Sequence, residues 1–142
     1  DGTVYLHGMD GFLYALHPRT GATLWRTFVD ALTYASAVIG RDGTIYQASD
    51  VGFLYALRPD GTLKWRFTTN GDTYSTPALD AAGNIYVTTY STSSLLCISP
   101  EGTLRWSFTT PTLTLVSGSA TLSADGTAAY FGATDRHVAL TN

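Results

Sequence analysis

Apolar and polar positions alternate along this chain in short runs that never settle into a helical period. Around the middle the runs are Ser36-Ala37-Val38-Ile39, Thr44-Ile45-Tyr46-Gln47, Phe53-Leu54-Tyr55-Ala56-Leu57 and Leu63-Lys64-Trp65-Arg66-Phe67. Between them lie Gly40-Arg41-Asp42-Gly43, Ser49-Asp50-Val51-Gly52 and Arg58-Pro59-Asp60-Gly61, rich in the residues that supply turn backbone angles. The pattern predicts four short β-strands joined by tight turns. No stretch sustains the 3.6-residue apolar spacing of a helix.

The same set of runs recurs along the chain. Gly2-Thr3-Val4-Tyr5, Gly43-Thr44-Ile45-Tyr46, Gly83-Asn84-Ile85-Tyr86 and Gly126-Thr127-Ala128-Ala129-Tyr130 begin four copies. Leu13-Tyr14-Ala15-Leu16, Leu54-Tyr55-Ala56-Leu57, Leu95-Leu96-Cys97-Ile98 and His137-Val138-Ala139-Leu140 follow them. Three copies then close on Gly21 to Trp25, Gly61 to Trp65 and Gly102 to Trp106. A period of about forty residues with four strands per period is the arithmetic of a β-propeller blade. The fold class expected is therefore all-β, a propeller of four-stranded antiparallel blades.

With the strands named A to D from the axis outwards, the chain reads B-C-D, two full A-B-C-D sets, then A-B-C. That is about 3.5 blades in one propeller segment over 1–142, with blade portions near 1–29, 34–70, 74–110 and 116–142. The A strands, Ser36-Ala37-Val38, Thr76-Pro77-Ala78-Leu79 and Ser119-Ala120-Thr121-Leu122, carry small residues suited to a crowded centre. Trp25, Trp65 and Trp106 fall at one point of the D strand and read as staples between blades. Burying one such ring completely would contribute at most about 4 to 6 kcal/mol. An open arc exposes strand edges and apolar blade faces, so completion by further blades or by homo-oligomerisation is expected. The start at Asp1, without an initiator methionine or signal peptide, reads as a mature, excised or partly observed piece.

The copies resemble the PQQ-like, tryptophan-docking propeller repeat. Ala15-Leu16-His17-Pro18-Arg19-Thr20-Gly21-Ala22-Thr23-Leu24-Trp25 is similar to one motif, with His17 where an acidic or amide residue is usual. Ala56 to Trp65 and Cys97 to Trp106 have turns one residue shorter. Within that family, quinoprotein dehydrogenases hold PQQ and calcium on the axis of an eight-bladed ring, often with a disulfide between adjacent cysteines. BamB-like scaffolds and bacterial cell-surface domains instead present a propeller face to proteins or polymers. This chain has one cysteine and no repeated axial acidic cluster, so it fits the second kind better. The resemblance implies a periplasmic, cell-surface or secreted address.

Composition narrows the functions further. A net charge of -3 leaves no basic stripe for nucleic-acid phosphates or an anionic membrane surface. No apolar run is long enough to span a bilayer. Cys97 stands where two other copies carry alanine, so it reads as a small buried filler. His7, His17 and His137 are scattered, with no metal-ligand spacing. Asp60 and Glu101 are lone carboxylates where calcium needs six to eight oxygens. Ser123 to Thr127 only faintly resembles a sialidase Asp-box and reads as a tight A-B turn. Thus no catalytic residue, metal ligand or cofactor is expected, and the chain reads as a non-catalytic binding scaffold. A carbohydrate-binding module and a fragment of a PQQ-dependent dehydrogenase-like propeller are the alternatives.

Antiparallel strands place every B-C and D-A connection on one face. That face carries Met9, Asp10, Asp30, Tyr34, Asp50, Asn70, Asp72, Tyr74, Tyr90, Thr112, Asp135 and Arg136. Tyrosines beside carboxylates and amides suit a peptide or a sugar ring, so a protein or polysaccharide partner is expected there. The plainer reading has Tyr34 and Tyr74 packing at the mouth of a central channel while the acids solvate loops.

Overall fold

The structure, a computed structural model, describes residues 2–30, 33–110, 116 and 118–133 and the backbone of 136–141. Among these residues there are fourteen strands in four antiparallel sheets and no helix. The first sheet contains β1 (Val4–His7), β2 (Phe12–Leu16) and β3 (Thr23–Phe28). The second contains β4 (Val38–Ile39), β5 (Ile45–Ser49), β6 (Phe53–Leu57) and β7 (Leu63–Thr68). The third repeats it with β8 (Ala78–Leu79), β9 (Ile85–Thr89), β10 (Ser94–Ile98) and β11 (Leu104–Thr109). The fourth has β12 (Thr121–Leu122), β13 (Ala128–Ala133) and β14 (Arg136–Thr141). Strand order within every sheet follows the chain, so each blade is a meander of a partial β-propeller.

Blades pack face to face, and each interface has its own core. Leu13 and Val29 of the first blade meet Ile45, Tyr55 and Leu57 of the second. Tyr46, Ala48, Leu54 and Ala56 meet Ile85, Val87, Leu96 and Ile98 of the third. Tyr86, Leu95 and Cys97 then meet Ala120, Ala129 and Phe131 of the fourth. All five residues of β5, β9 and β10 are buried, because those strands have a neighbouring blade on both sides. In β2 burial alternates instead, and Val4, Leu6, Leu24 and Phe28 leave the first sheet's other face open.

Register explains the small residue in each C strand. Tyr5 pairs with Ala15 and Ala15 with Trp25; Tyr46, Ala56 and Trp65 repeat the row, as do Tyr86, Cys97 and Trp106. The side chain in the middle is short enough for the outer rings to meet above it, at centroid distances of 5.7, 5.8 and 5.9 Å. Cys97 is therefore a spacer with 1% of its surface exposed, and burial pushes its thiol pKa up.

Each of the first two tryptophans also reaches the next blade. Trp25 Nε1 donates to the carbonyl of Pro59 and Trp65 Nε1 to that of Pro100, both at 2.9 Å. The rings lie over Gly61 and Gly102, where an added Cβ would sit 2.7 Å from a ring carbon. These glycines serve two needs at once, since their φ values of 85° and 86° also favour glycine. All three tryptophans are half-buried among the described residues, short of complete burial. In the first C-D turn His17 does the work of a capping aspartate, its Nδ1 accepting the backbone N–H groups of Arg19 and Thr20 at 3.3 and 3.4 Å.

The inner strands are shorter than the sequence implies. Pairing covers only Val38–Ile39, Ala78–Leu79 and Thr121–Leu122, and the leading Ser36, Thr76 and Ser119 lie outside it. Near the axis, where blades converge, a hydroxyl on the next blade replaces the ladder partner. Ser36 N donates to Thr76 Oγ1, and Thr76 N to Ser119 Oγ, each at 3.0 Å.

Gly21 provides a control for the docking glycines, because its φ is 69° and nothing lies within 4 Å of an added Cβ. Gly21→Ala is expected to cost the left-handed backbone alone, about 1 to 2 kcal/mol. Gly61→Ala and Gly102→Ala should cost roughly 1 to 3 kcal/mol more through the displaced ring. Urea denaturation of the three variants checks this, and equal losses at all three positions would contradict the docking account.

Candidate functional site

The D-A loops are held to the blades by polar side chains, of which Gln47 and Ser75 are buried. Thr33 Oγ1 donates to the carbonyl of Ala48 at 2.8 Å and accepts Ala35 N at 3.0 Å. Gln47 Nε2 donates to the carbonyl of Ala35 at 2.9 Å. In the following loop Ser75 Oγ donates to the carbonyl of Thr88, and Thr88 N donates back to that hydroxyl, both at 3.2 Å. Asp72 N donates to Ser91 Oγ at 3.1 Å and Tyr90 N to the carbonyl of Asp72 at 2.7 Å. Gly71 permits this approach, since a Cβ there would stand 2.9 Å from Thr92 Oγ1. Thr33-Tyr34-Ala35-Ser36 and Thr73-Tyr74-Ser75-Thr76 are thus two copies of one anchored loop, a forty-residue echo that sequence inspection could have used.

Anchoring brings three tyrosines together. Tyr34 and Tyr74 have ring centroids 6.1 Å apart and tilted by 57°, and Tyr74 meets Tyr90 edge-on at 5.3 Å and 71°. Tyr34 remains 78% exposed. Its backbone N–H lowers the pKa of the Asp50 carboxylate, whose Oδ1 is inaccessible and without a hydrogen-bond partner. Burial raises the pKa of Asp50, the Tyr34 N–H lowers it, Asp72 raises it and His7 lowers it, with a net rise. Burial and then the charges of Asp72 and Asp50 push the Tyr74 phenol up.

The other residues of this face behave differently. Asp30 has a φ of 95°, and its Oδ2 accepts Tyr55 OH at 2.6 Å and Ser49 Oγ at 3.3 Å. His7 Nε2 lies 3.3 Å from the Asp30 carbonyl. Asp30 is thus a brace between blades and not a loop-solvating acid. Asp10 accepts Tyr14 OH and, at 3.3 Å, Phe12 N, so the Met9-Asp10 loop closes on itself apart from the tyrosines. Met9 is 85% exposed. Asn70, exposed at a φ of 57°, lies two residues beyond the end of β7. Thr112 and Asp135 lie outside the described residues, and Arg136 begins β14. Among the described residues no group of three or more His, Cys, Asp or Glu is placed to hold a metal, and no helix is long and apolar enough to cross a membrane.

On the opposite face, A-B turns of three blades border a cleft of about 610 Å³ that includes Tyr46, Asp42, Asp80 and Asp125. Its carboxylates are already engaged. Asp42 accepts Thr44 Oγ1 at 2.7 Å and N at 3.0 Å, and Lys64 Nζ at 3.2 Å. Asp80 accepts Asn84 N and Nδ2 at 2.8 and 2.7 Å, while Asp125 takes Ser123 Oγ, Thr127 Oγ1 and Thr127 N. The Thr44 hydroxyl and N–H hold Asp42 at about 2, and bonds from Ser123 and Thr127 hold Asp125 at about 2. Their folded pKa lies below the unfolded one, so the stability they contribute is complete above about pH 4 and lost as pH falls through about 2. Asp42→Ala should make the acid-induced loss of stability between those values shallower than in the parent chain, as followed by circular dichroism.

Asp50 has the reverse sign. Its folded pKa is raised, so its ionised form destabilises the fold at neutral pH and protonation relieves the cost. Asp50→Asn keeps an acceptor for Tyr34 N–H and removes the charge. It is expected to raise stability at pH 7, a gain that disappears in acid. Denaturant titrations at both pH values check it, and destabilisation at pH 7 would refute the strained-carboxylate account.

With this geometry, comparison with known proteins becomes informative. A family model described as outer membrane protein assembly factor BamB matches residues 9–142. Among solved structures, BamB from Moraxella catarrhalis aligns with a TM-score of 0.82 at 20% identity, covering 99% of this chain and 43% of that one. A protein of unknown function from Bacteroides caccae aligns at 0.67 with 19% identity, covering 99% and 53%. The WD40 β-propeller domain of Doa1 aligns at 0.78 with 15% identity, covering 99% and 47%. At such identities the structures speak to fold alone, and the chain spans 43% to 53% of their lengths. No curated protein matches it. Because the family match runs through nearly the whole repeat array, the chain belongs to the family of the outer membrane protein assembly factor BamB.

Proposed function

We propose that this chain is part of a non-catalytic β-propeller scaffold that acts in outer membrane protein assembly, in the periplasm, by holding a protein partner against its B-C and D-A loop face. Family membership supports the setting. The observation that carries the choice of face is the anchored set Tyr34, Tyr74 and Tyr90, with Tyr34 largely exposed. On the other face, by contrast, Asp42, Asp80 and Asp125 are engaged in forming their own turns. Rigid exposed aromatics are suited to binding because little side-chain entropy is lost when they are covered. Rings tilted by 57° and 71° make a corner with no single flat platform, which supports a peptide over a stacked sugar. The open apolar surface formed by Val4, Leu6, Leu24 and Phe28 is suited to another blade, supplied by a longer chain or a second copy.

A photo-crosslinking residue at position 34 in cells of the source organism tests the reading, with position 41 on the opposite face as control. Crosslinks from 34 to a component of outer membrane protein assembly, at least about tenfold above those from 41, are expected for a specific face. Equal labelling from both positions, or labelling of no protein, would reject this face as the partner surface.

A further inference from the structure

The turn end of the blades carries both signs, Arg19, Arg41 and Arg58 beside Asp42, Asp60, Asp80, Glu101 and Asp125, while Asp30, Asp50 and Asp72 lie at the tyrosine end. The one ion pair among the described residues, Lys64 with Asp42, belongs to the turn face. The two arginines of the outer strands nearest the tyrosine end are already placed over rings, Arg26 over Phe12 at 4.6 Å and Arg66 over Phe53 at 4.3 Å. No cation of the described residues forms a salt bridge with Asp50 or Asp72. Tyr34, Tyr74 and Tyr90 form a corner beside those carboxylates, and both acid charges act on the Tyr74 phenol. Asp50 Oδ1 is inaccessible, so Asp72, half-buried, is the carboxylate that an arriving cation can meet directly, with the Asp50 charge behind it.

We propose that the corner formed by Tyr34, Tyr74 and Tyr90, backed by Asp50 and Asp72, receives an arginine side chain of the partner protein. This rests on the scaffold reading and adds the chemistry that the partner presents. A guanidinium is planar and weakly hydrated, so one face can stack on a tyrosine while its N–H groups reach a carboxylate. The tilt between rings suits a compact cation, which can touch two ring faces at once. A neutral group of the same shape would leave both acid charges uncompensated.

The probe is an acetylated, amidated pentapeptide with one central arginine among glycines, set against the same peptide with citrulline. Both are titrated into the full chain at low salt, and the ring resonances of the three tyrosines are followed by NMR. The arginine peptide should move all three rings and bind at least about fivefold more tightly than the citrulline peptide, as expected for a cation–π contact with charge assistance. Asp72→Asn, with its spectrum confirming an intact fold, should lose most of that preference, and Arg41→Ala on the other face should keep it. Equal binding of the two peptides, or a preference that survives Asp72→Asn, would overturn the proposal. If crosslinking from position 34 still reaches an assembly component while the peptides show no difference, the scaffold reading stands and the arginine site falls. If the arginine preference is seen without such a crosslink, the site stands and the assembly role falls.

Discussion

One contact sets the geometry of this propeller: the indole of one blade laid over a glycine in the C-D turn of the next. Trp25 over Gly61 and Trp65 over Gly102 combine ring packing with an indole N–H bonded to the carbonyl of Pro59 or Pro100. The bond fixes direction and the missing Cβ fixes depth, so neighbouring blades are held at one distance and one angle. The cores then have to fit that spacing. Large side chains such as Leu54 and Leu57 fill one interface each, and Ala15, Ala56 and Cys97 stay small where Tyr and Trp rings meet above them. Stability in such an array is carried by neighbour-to-neighbour contacts, with no single core for the whole chain.

The same alternation of strands that builds the blade divides its polar residues into two kinds. Aspartates of the A-B and C-D turns have a threonine or asparagine two or four residues away, and they bond it. Asp42 with Thr44, Asp60 with Thr62, Asp80 with Asn84 and Asp125 with Thr127 are examples. These carboxylates hold the turns together and have little capacity left for a ligand. At the other end Asp30 braces two blades through Tyr55 and Ser49, but Asp50 keeps an oxygen without a partner. Among the described residues Gln47 Oε1, Asn84 Oδ1 and Asp50 Oδ1 are buried without a partner, and of these only the Asp50 oxygen belongs to a carboxylate.

Most of the strand plan is readable in the sequence because it rests on local periodicity. Glycine, the aromatic B strand, Leu-Tyr-Ala-Leu and tryptophan recur at steps short enough to align by eye. What is hidden depends on the distance between blades. Nothing in Ser36, Thr76 and Ser119 alone shows that they bond the next blade instead of their own sheet, which is why the inner strands come out two residues long. Tyr90 belongs to a B-C turn and Tyr74 to a D-A loop, and only Asp72 and Ser91 in the folded chain bring them together. Residues on one face of the propeller can be named from topology, whereas which of them touch depends on anchoring by Thr33, Ser75 and Gln47.

The two features are mechanically linked. Tyr34 precedes the inner strand of the second blade and Tyr74 that of the third, so the 6.1 Å between their rings spans the interface at which Trp65 meets Gly102. Any change that tilts those blades at the rim also alters the separation near the axis, since β5 to β7 and β9 to β11 are paired along their lengths. Loops pinned by hydroxyls and amides transmit that tilt, because they have no slack in which to absorb it. The tyrosine corner therefore takes its shape from the tryptophan–glycine spacing, while its charge is free to vary: Asp50 and Asp72 can change without touching the docking contact. Shape is set by the repeat and charge by the loops, and a propeller of this kind can change partners by altering loop residues while its blades stay the same.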